Sequence, residues 1–347
     1  MLTIFLIMLA LIWLIFAVVS DLRTREIPNW LNFSLIIFAL GARFFYDLFN
    51  MQGFSGSSVY VILLASLVPL SIFYFLTASF KNPLREMSYF LFISLLAAAL
   101  IYFNYANGVF SSMILESGFV HLYYGALGLA VFFVIANLLY YGRFFAGGDT
   151  KLMIALGPVI PLGTGLVGNI NLFLDFLVIF LIVRLAYDFV CLLYMGFRDS
   201  HKIKGEFYRN LKANRKIVYV FATFGVLFIL LGLFDGLLLL PGILIIILPL
   251  LYFYTKAIEN KSLVEKVSTK EITEGDWLHS NVKIGRNTIK ANWQGLSKKE
   301  IEMIRKKHKF VMIKRGIQFG PGFLIIFLVF VYLYLNGIGL WNSLWQP

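Results

Sequence analysis

The chain has 347 residues, 60% of them apolar and only 14% charged, with a net charge of +12. Soluble domains are typically ~45–50% apolar, so this composition excludes an ordinary soluble enzyme and points to a polytopic membrane protein. One cysteine, Cys191, excludes an intrachain disulfide and a cysteine-built zinc site, and the four histidines are scattered with no paired spacing.

Apolar runs fall at roughly 1–20, 31–50, 58–79, 88–104, 118–141, 152–167, 169–197, 217–234, 236–254 and 319–337. Most are close to the ~20 residues that a membrane-crossing helix needs, so about ten transmembrane helices are expected. The first run lacks a basic leader region and a small-residue cleavage site, and it is expected to remain as a helix. The run 152–167 contains Gly157, Pro158, Pro161 and Gly163 and reads as a broken or short helix. The helices at 58–79 and 88–104 read as an inserted hairpin.

The connections alternate in charge. Those near 44–57, 104–118, 161–168 and 235–236, and the tail 338–347, hold no Lys or Arg, whereas those near 21–30, 80–87, 142–151, 198–216 and 255–318 hold 28 of the 30. The positive-inside rule then puts both termini outside and the basic loops in the cytoplasm of a plasma-membrane protein. Keeping that parity requires 152–167 to cross. The basic stretch Lys202 to Lys216 is expected to be a loop against anionic headgroups of the bilayer rather than a nucleic-acid site.

Residues 255–318 form the one sizeable polar segment. Ser297-Lys298-Lys299-Glu300 reads as a capping box that opens a helix over Ile301 to Lys307. Val282-Lys283-Ile284 and Thr288-Ile289-Lys290 flank Gly285-Arg286-Asn287 as a small hairpin. The expected fold is an all-α polytopic membrane protein with a small cytoplasmic α+β module. Its parts are a membrane-embedded catalytic domain at 1–254, the module at 255–318, and a final helix with a short external tail at 319–347.

Two short segments carry the chemistry. Asp21 lies in Ser20-Asp21-Leu22-Arg23-Thr24-Arg25-Glu26-Ile27-Pro28-Asn29, and Asp149 lies in Ala146-Gly147-Gly148-Asp149-Thr150-Lys151-Leu152. Each places an acid at the edge of an apolar run, where charge is costly unless it faces water or does chemistry. Taken singly, Asp21 reads as a solvated acid balanced by Arg23 and Arg25, and Asp149 as a helix N-cap. Charge parity puts both on one membrane face, which is the minimum equipment for aspartic-protease chemistry. Gly147 and Gly148 let a backbone approach closely.

These residues resemble the type IV prepilin and preflagellin peptidases, membrane aspartic proteases of the GxGD type. The first family motif corresponds to Asp21, Arg23, Arg25 and Ile27-Pro28-Asn29. The second corresponds to Gly147-Gly148-Asp149-Thr150-Lys151-Leu152, with Ala146 standing where the family has its first glycine. Glu274-Gly275-Asp276-Trp277, Gly295-Leu296-Ser297-Lys298-Lys299-Glu300-Ile301 and Gly316-Ile317-Gln318-Phe319-Gly320-Pro321-Gly322-Phe323 resemble the extension and last helix of archaeal-type members, with Gln318 in place of their usual proline.

The resemblance implies an endopeptidase that removes short basic leaders from membrane-inserted pilin-like or archaellin-like precursors. The catalytic residues would be Asp21 and Asp149, with no metal and no other cofactor. Methylation is not expected, since bifunctional bacterial members carry a zinc-binding cysteine cluster. Helix-end dipoles suggest Asp149, near a helix N-terminus, as the base and Asp21, near a helix C-terminus, as the acid. Gly147, Gly148, Glu26 and Asp188 are candidate substrate contacts, and Glu86 and Glu206 are further acids on the expected cytoplasmic side. Arg184 and Asp188, four apart in the run 169–197, can pair on one helix face. Together with the broken run they support a competing transporter reading. A magnesium-dependent lipid-phosphate transferase is a second rival.

Overall fold

The structure, a computed structural model, describes residues 1–51, 118–163, 165–234, 236–284, 287–292 and 295–341, with isolated positions from 53 to 95. The runs expected at 58–79 and 88–104, Glu86, the first two residues of the expected turn 285–287 and the tail residues 342–347 lie outside the described residues. The helices are α1 (Leu2–Thr24), α2 (Asn29–Asn50), α3 (Val120–Tyr141), α4 (Gly147–Leu156), α5 (Leu166–Arg198), α6 (Ser200–Ala213), α7 (Arg215–Gly232), α8 (Leu239–Lys261), α9 (Lys298–Lys307) and α10 (Gly320–Leu335). The strands are β1 (Val264–Ser268), β2 (Trp277–Leu278), β3 (Val282–Ile284), β4 (Asn287–Ile289) and β5 (Phe310–Lys314).

The fold is that of a helical membrane protein with a small sheet region. Among the described residues, six helices are long and apolar enough to cross a membrane: α1, α2, α3, α5, α7, and α8 with the 3-10 turn before it. This is fewer than the ten expected. Two of the ten lie outside the described residues, and two are short. Helix α4 has 10 residues, about 15 Å, against ~30 Å of hydrocarbon. Helix α10 has 16, about 24 Å. The run 152–167 is therefore half helix and half irregular backbone, because Pro158 and Pro161 remove amide donors after Leu156.

The described residues divide into two compact units, 1–185 with 318–347, and 186–317, so the first boundary falls inside α5 rather than at 254. In the first unit, α2 packs on α1, α3 and α4, and α10 packs on α1. The core is aromatic: Phe132, Phe176, Phe323 and Phe330 are fully buried, with Phe132 against Phe176 and Phe176 edge-on to Phe330. Lipid-facing helices gain little from hydrophobic burial, so close approach and polar contacts must hold them together. A Cβ on Gly128 would lie 2.2 Å from the Gly157 carbonyl oxygen, so only a glycine lets α3 touch the end of α4.

Arg43, 1% exposed on α2, supplies the polar contact. Its Nε donates to the Pro158 carbonyl at 2.8 Å and its Nη2 to Pro161 at 2.7 Å and Val159 at 3.3 Å, while Nη1 reaches His121 at 3.2 Å. One planar guanidinium thus satisfies the carbonyls of the irregular segment, as non-helical backbone at membrane depth requires. One turn along α2, Asp47 accepts from the Leu122 amide at 2.8 Å and meets His121 Nδ1 at 2.6 Å, holding the start of α3.

In the second unit, α7 and α8 form a helical hairpin. Gly225 and Gly242 sit where any Cβ would strike the opposite backbone, at 2.8 and 2.8 Å. Helix α8 continues to Lys261, so the polar module starts at β1 rather than at 255. The stretch 198–216, expected to be a loop, holds α6. The module has a three-stranded antiparallel sheet in the order β1-β5-β2 and a β3–β4 hairpin. Val264 pairs with Lys314, Trp277 with Lys314, and Val282 with Ile289. Ile301 and Ile304 of α9 close its core with Val267, Leu278, Val311 and Ile313. The expected capping box is formed, with the Ser297 amide donating to Glu300 Oε2 at 2.9 Å.

Candidate active site

Helix α1 outlasts its apolar run by a turn because polar groups cap its end. Arg25 adopts the left-handed conformation (φ 59°) and its amide donates to the Asp21 carbonyl at 2.9 Å. Ser20 and Thr24 hydroxyls donate to the Glu26 and Ser20 carbonyls at 2.8 and 2.9 Å. Asp21 therefore lies inside the last turn and is only 7% exposed, not the solvated acid its arginine neighbours suggested. Its Oδ2 accepts the backbone N–H of Gly320 at 2.8 Å, and its carbonyl oxygen accepts the Gln318 side-chain amide. Gln318 thus gives a second donor to the carbonyl that the Arg25 amide already caps, and ties the segment before α10 to the end of α1.

Asp149 lies in the first turn of α4, two residues past its start, so it is not the N-cap. Ala146 fills that position with extended backbone (φ −79°), which alanine adopts without strain, so the loop does not require a glycine there. Gly147 is exposed with no neighbour where its Cβ would be. The Asp149 side chain is 13% exposed, with Oδ2 3.9 Å from Arg184 Nη1. The Arg184 guanidinium also stands 3.9 Å from the centroid of the Phe319 ring.

The two motifs meet. Lys151 Nζ donates to Asn29 Oδ1 at 2.7 Å, and a Cβ on Gly148 would lie 3.9 Å from the Ile27 side chain. Both acids are also tied to one junction at the start of α10: Asp21 directly through Gly320, and Asp149 through Arg184 stacked on Phe319. Phe319 and Gly320 lie in the last of the segments that resemble the archaeal-type members, but no local spacing assigns them to Asp21. The charge of Arg184 stood out in its apolar run, whereas its approach to Asp149 depends on tertiary packing alone.

The contact with Gly320 changes the electrostatic expectation. Asp21 sits in the last turn of α1, but its carboxyl accepts the first amide of α10, and Asp149 lies in the first turn of α4, so both acids stand near a helix N-terminus. The helix-end difference that separated a base from an acid is not built, and the two roles lose that basis.

Of the other candidates, Glu26 is exposed beside Ile27. Asp188 lies one turn beyond Arg184 on α5 and belongs to the second unit, as does Glu206, which is held by Arg209 at 2.6 Å and Lys261 at 3.6 Å. Asp175 accepts the Trp341 amide at 2.7 Å and anchors the segment after α10. Among the described residues, no three His, Cys, Asp or Glu side chains gather into a metal-ligand cluster. No protein-family model, curated protein or solved structure matches the chain.

Proposed function

We propose that the chain is a membrane-embedded aspartic endopeptidase of the prepilin and preflagellin peptidase kind, with Asp21 and Asp149 as its dyad. Its substrates are pilin-like or archaellin-like precursors, cut between a short basic leader and the apolar helix, on the cytoplasmic side that the basic loops indicate. The observation that carries the reading is the shared junction. Two poorly exposed aspartates 128 positions apart, each at the edge of an apolar segment, lead to adjacent residues: Asp21 to Gly320 directly, and Asp149 to Phe319 through Arg184. The open face of Gly147 supports it, since an extended peptide can run past a backbone without a side chain.

The chemistry needs one carboxylate and one carboxylic acid. The carboxylate takes a proton from water while the water oxygen bonds to the scissile carbonyl carbon. The carboxylic acid then protonates the leaving nitrogen as the carbon–nitrogen bond breaks. Gly320 and Arg184 fix the two carboxyls so that little reorganisation is needed.

The test is cleavage of candidate precursors by detergent-solubilised protein, with N-terminal sequencing of the product. Asp21→Asn and Asp149→Asn should each abolish cleavage while membrane insertion persists, and a chelator should change nothing. Activity surviving in either single variant would refute the dyad. Absence of cleavage together with a chelator-sensitive transfer of lipid phosphate would favour the magnesium-dependent transferase.

A further inference from the structure

We propose that the outward face of α6 is a docking surface for the phosphate headgroups of anionic phospholipids. Helix α6 has 14 residues, about 21 Å, and only Asn214 separates it from α7. It joins two helices that are each long and apolar enough to cross a membrane, so it lies where they leave the bilayer. Its inner face is fixed: Ile203 packs with Ala257 and Ile258, and Phe207 meets Tyr254 edge-on, all on the last turns of α8.

The opposite face repeats at helical spacing. His201, Lys204, Tyr208 and Lys212 are all exposed and stand three, four and four residues apart, which makes one stripe. Arg215 and Lys216 continue it, exposed, into the first turn of α7. Nearby cations have acidic partners: Arg209 and Lys261 engage Glu206, and Arg198 and Lys202 engage Asp199. Among the described residues Lys204, Lys212, Arg215 and Lys216 form no ion pair, so this charge has no partner within them.

The apolar residues beyond Lys216 select the partner. Ile217, Val220 and Phe221 are 49%, 52% and 38% exposed, so apolar surface starts where the cations stop. A phospholipid matches that order of surfaces, with its phosphate on the cations and its acyl chains along α7. A polynucleotide would use the charge and leave the apolar strip uncovered. Tyr208, 67% exposed among the lysines, fits the headgroup level, where its ring is amphipathic.

The experiment titrates the full-length protein, in zwitterionic detergent micelles, with a fluorescent short-chain phosphatidylglycerol and reads anisotropy. Binding should weaken as salt rises, phosphatidylcholine should not bind, and millimolar inorganic phosphate should not compete. Lys204→Gln/Lys212→Gln and Arg215→Gln/Lys216→Gln should each weaken binding about 25-fold, about fivefold per cation removed. Lys204→Arg/Lys212→Arg should bind as the parent does, and Lys306→Gln/Lys307→Gln, two exposed cations of the sheet module, should leave binding unchanged. Unaltered affinity in the two Gln pairs combined, an equal loss in the Lys306/Lys307 control, or displacement of the lipid by a short single-stranded RNA would each overturn the proposal. Melting temperatures within a few degrees of the parent would show that the variants fold.

Discussion

The Gly320 amide donates to Oδ2 of Asp21 at 2.8 Å, across 299 positions of sequence. This bond makes the start of α10 part of the candidate site. It also explains why residue 320 is glycine, since a Cβ there would lie 2.7 Å from Asp21 Oδ2 and 3.0 Å from its Cβ. Gly320→Ala should therefore displace the carboxyl by a large fraction of an ångström. Displacements of that size cost about a hundredfold in rate when a positioned group does the chemistry. Cleavage kinetics should show that loss with the melting temperature little changed. Full activity in Gly320→Ala would mean that α10 does not set the position of Asp21.

Arg43 supports the fold by a different route. Removing its guanidinium leaves the carbonyls of Pro158, Val159, Pro161 and His121 without that donor in a buried setting. Arg43→Met should destabilise the protein by at least about 3 kcal/mol, since each orphaned buried group costs about 1–3 kcal/mol. Arg43→Lys should recover only part, because an ammonium cannot fan out to several carbonyls in one plane. Unfolding of the purified protein in detergent, followed by circular dichroism, measures both. Equal stability of Arg43→Met and the parent would show that residues 158–161 are held by other contacts.

These two cases mark where sequence reasoning reaches and where it stops. The apolar runs at 1–20, 31–50, 118–141, 169–197, 217–234 and 236–254 predicted the six long helices, because hydrophobic length is a local signal. The capping box at Ser297 and Glu300 and the existence of the small hairpin were legible for the same reason, but its register was not: Asn287, expected in the turn, pairs with Ile284, so Val282 meets Ile289. Helix α6 was not, because eight Lys, Arg, His and Glu residues between 200 and 216 obscured the Ile203, Phe207 and Leu211 period. The role of Arg43 was not legible, because its bonds to the carbonyls of Pro158, Val159 and Pro161 are made by tertiary packing across more than a hundred positions. The contact between Asp21 and Gly320 has no local trace, and it removes the helix-end argument for the base and acid assignment, because sequence spacing could not bring in the second helix end.

Acid should loosen the second unit through Glu206. Burial alone would raise its pKa, but the hydrogen bond from Arg209 and the charges of Arg209 and Lys261 outweigh burial and bring it below the ordinary value of 4.5. A depressed folded-state pKa means that the pair stabilises the fold fully above pH 4.5. That contribution fades as pH falls through the lower folded-state value. Glu206→Gln should melt earlier than the parent at about pH 7 and should lose less on moving to about pH 3. Melting temperatures across that range test the point, and parallel curves for the two proteins would exclude a contribution from Glu206.

Arg184 and Phe319 should act as one unit on Asp149. The guanidinium lies 3.9 Å from the ring centroid and 3.9 Å from the Asp149 carboxylate, so its position depends on the ring as much as on the acid. Stacking of this kind is worth about 0.5–2 kcal/mol, enough to hold one side-chain conformation over others. Phe319→Leu should therefore lower the cleavage rate about tenfold by freeing the guanidinium, and Arg184→Gln should lower it further by removing the charge beside Asp149. The double variant should be no worse than Arg184→Gln alone, because the ring no longer has a cation to hold. Arg184→Lys should lie between the parent and Arg184→Gln, since it keeps the charge but not the flat stacking surface. A double-mutant cycle on cleavage kinetics decides the matter. Simple addition of the two single losses would mean that Phe319 acts on the site through packing alone, and that Asp149 and Asp21 are held by separate contacts.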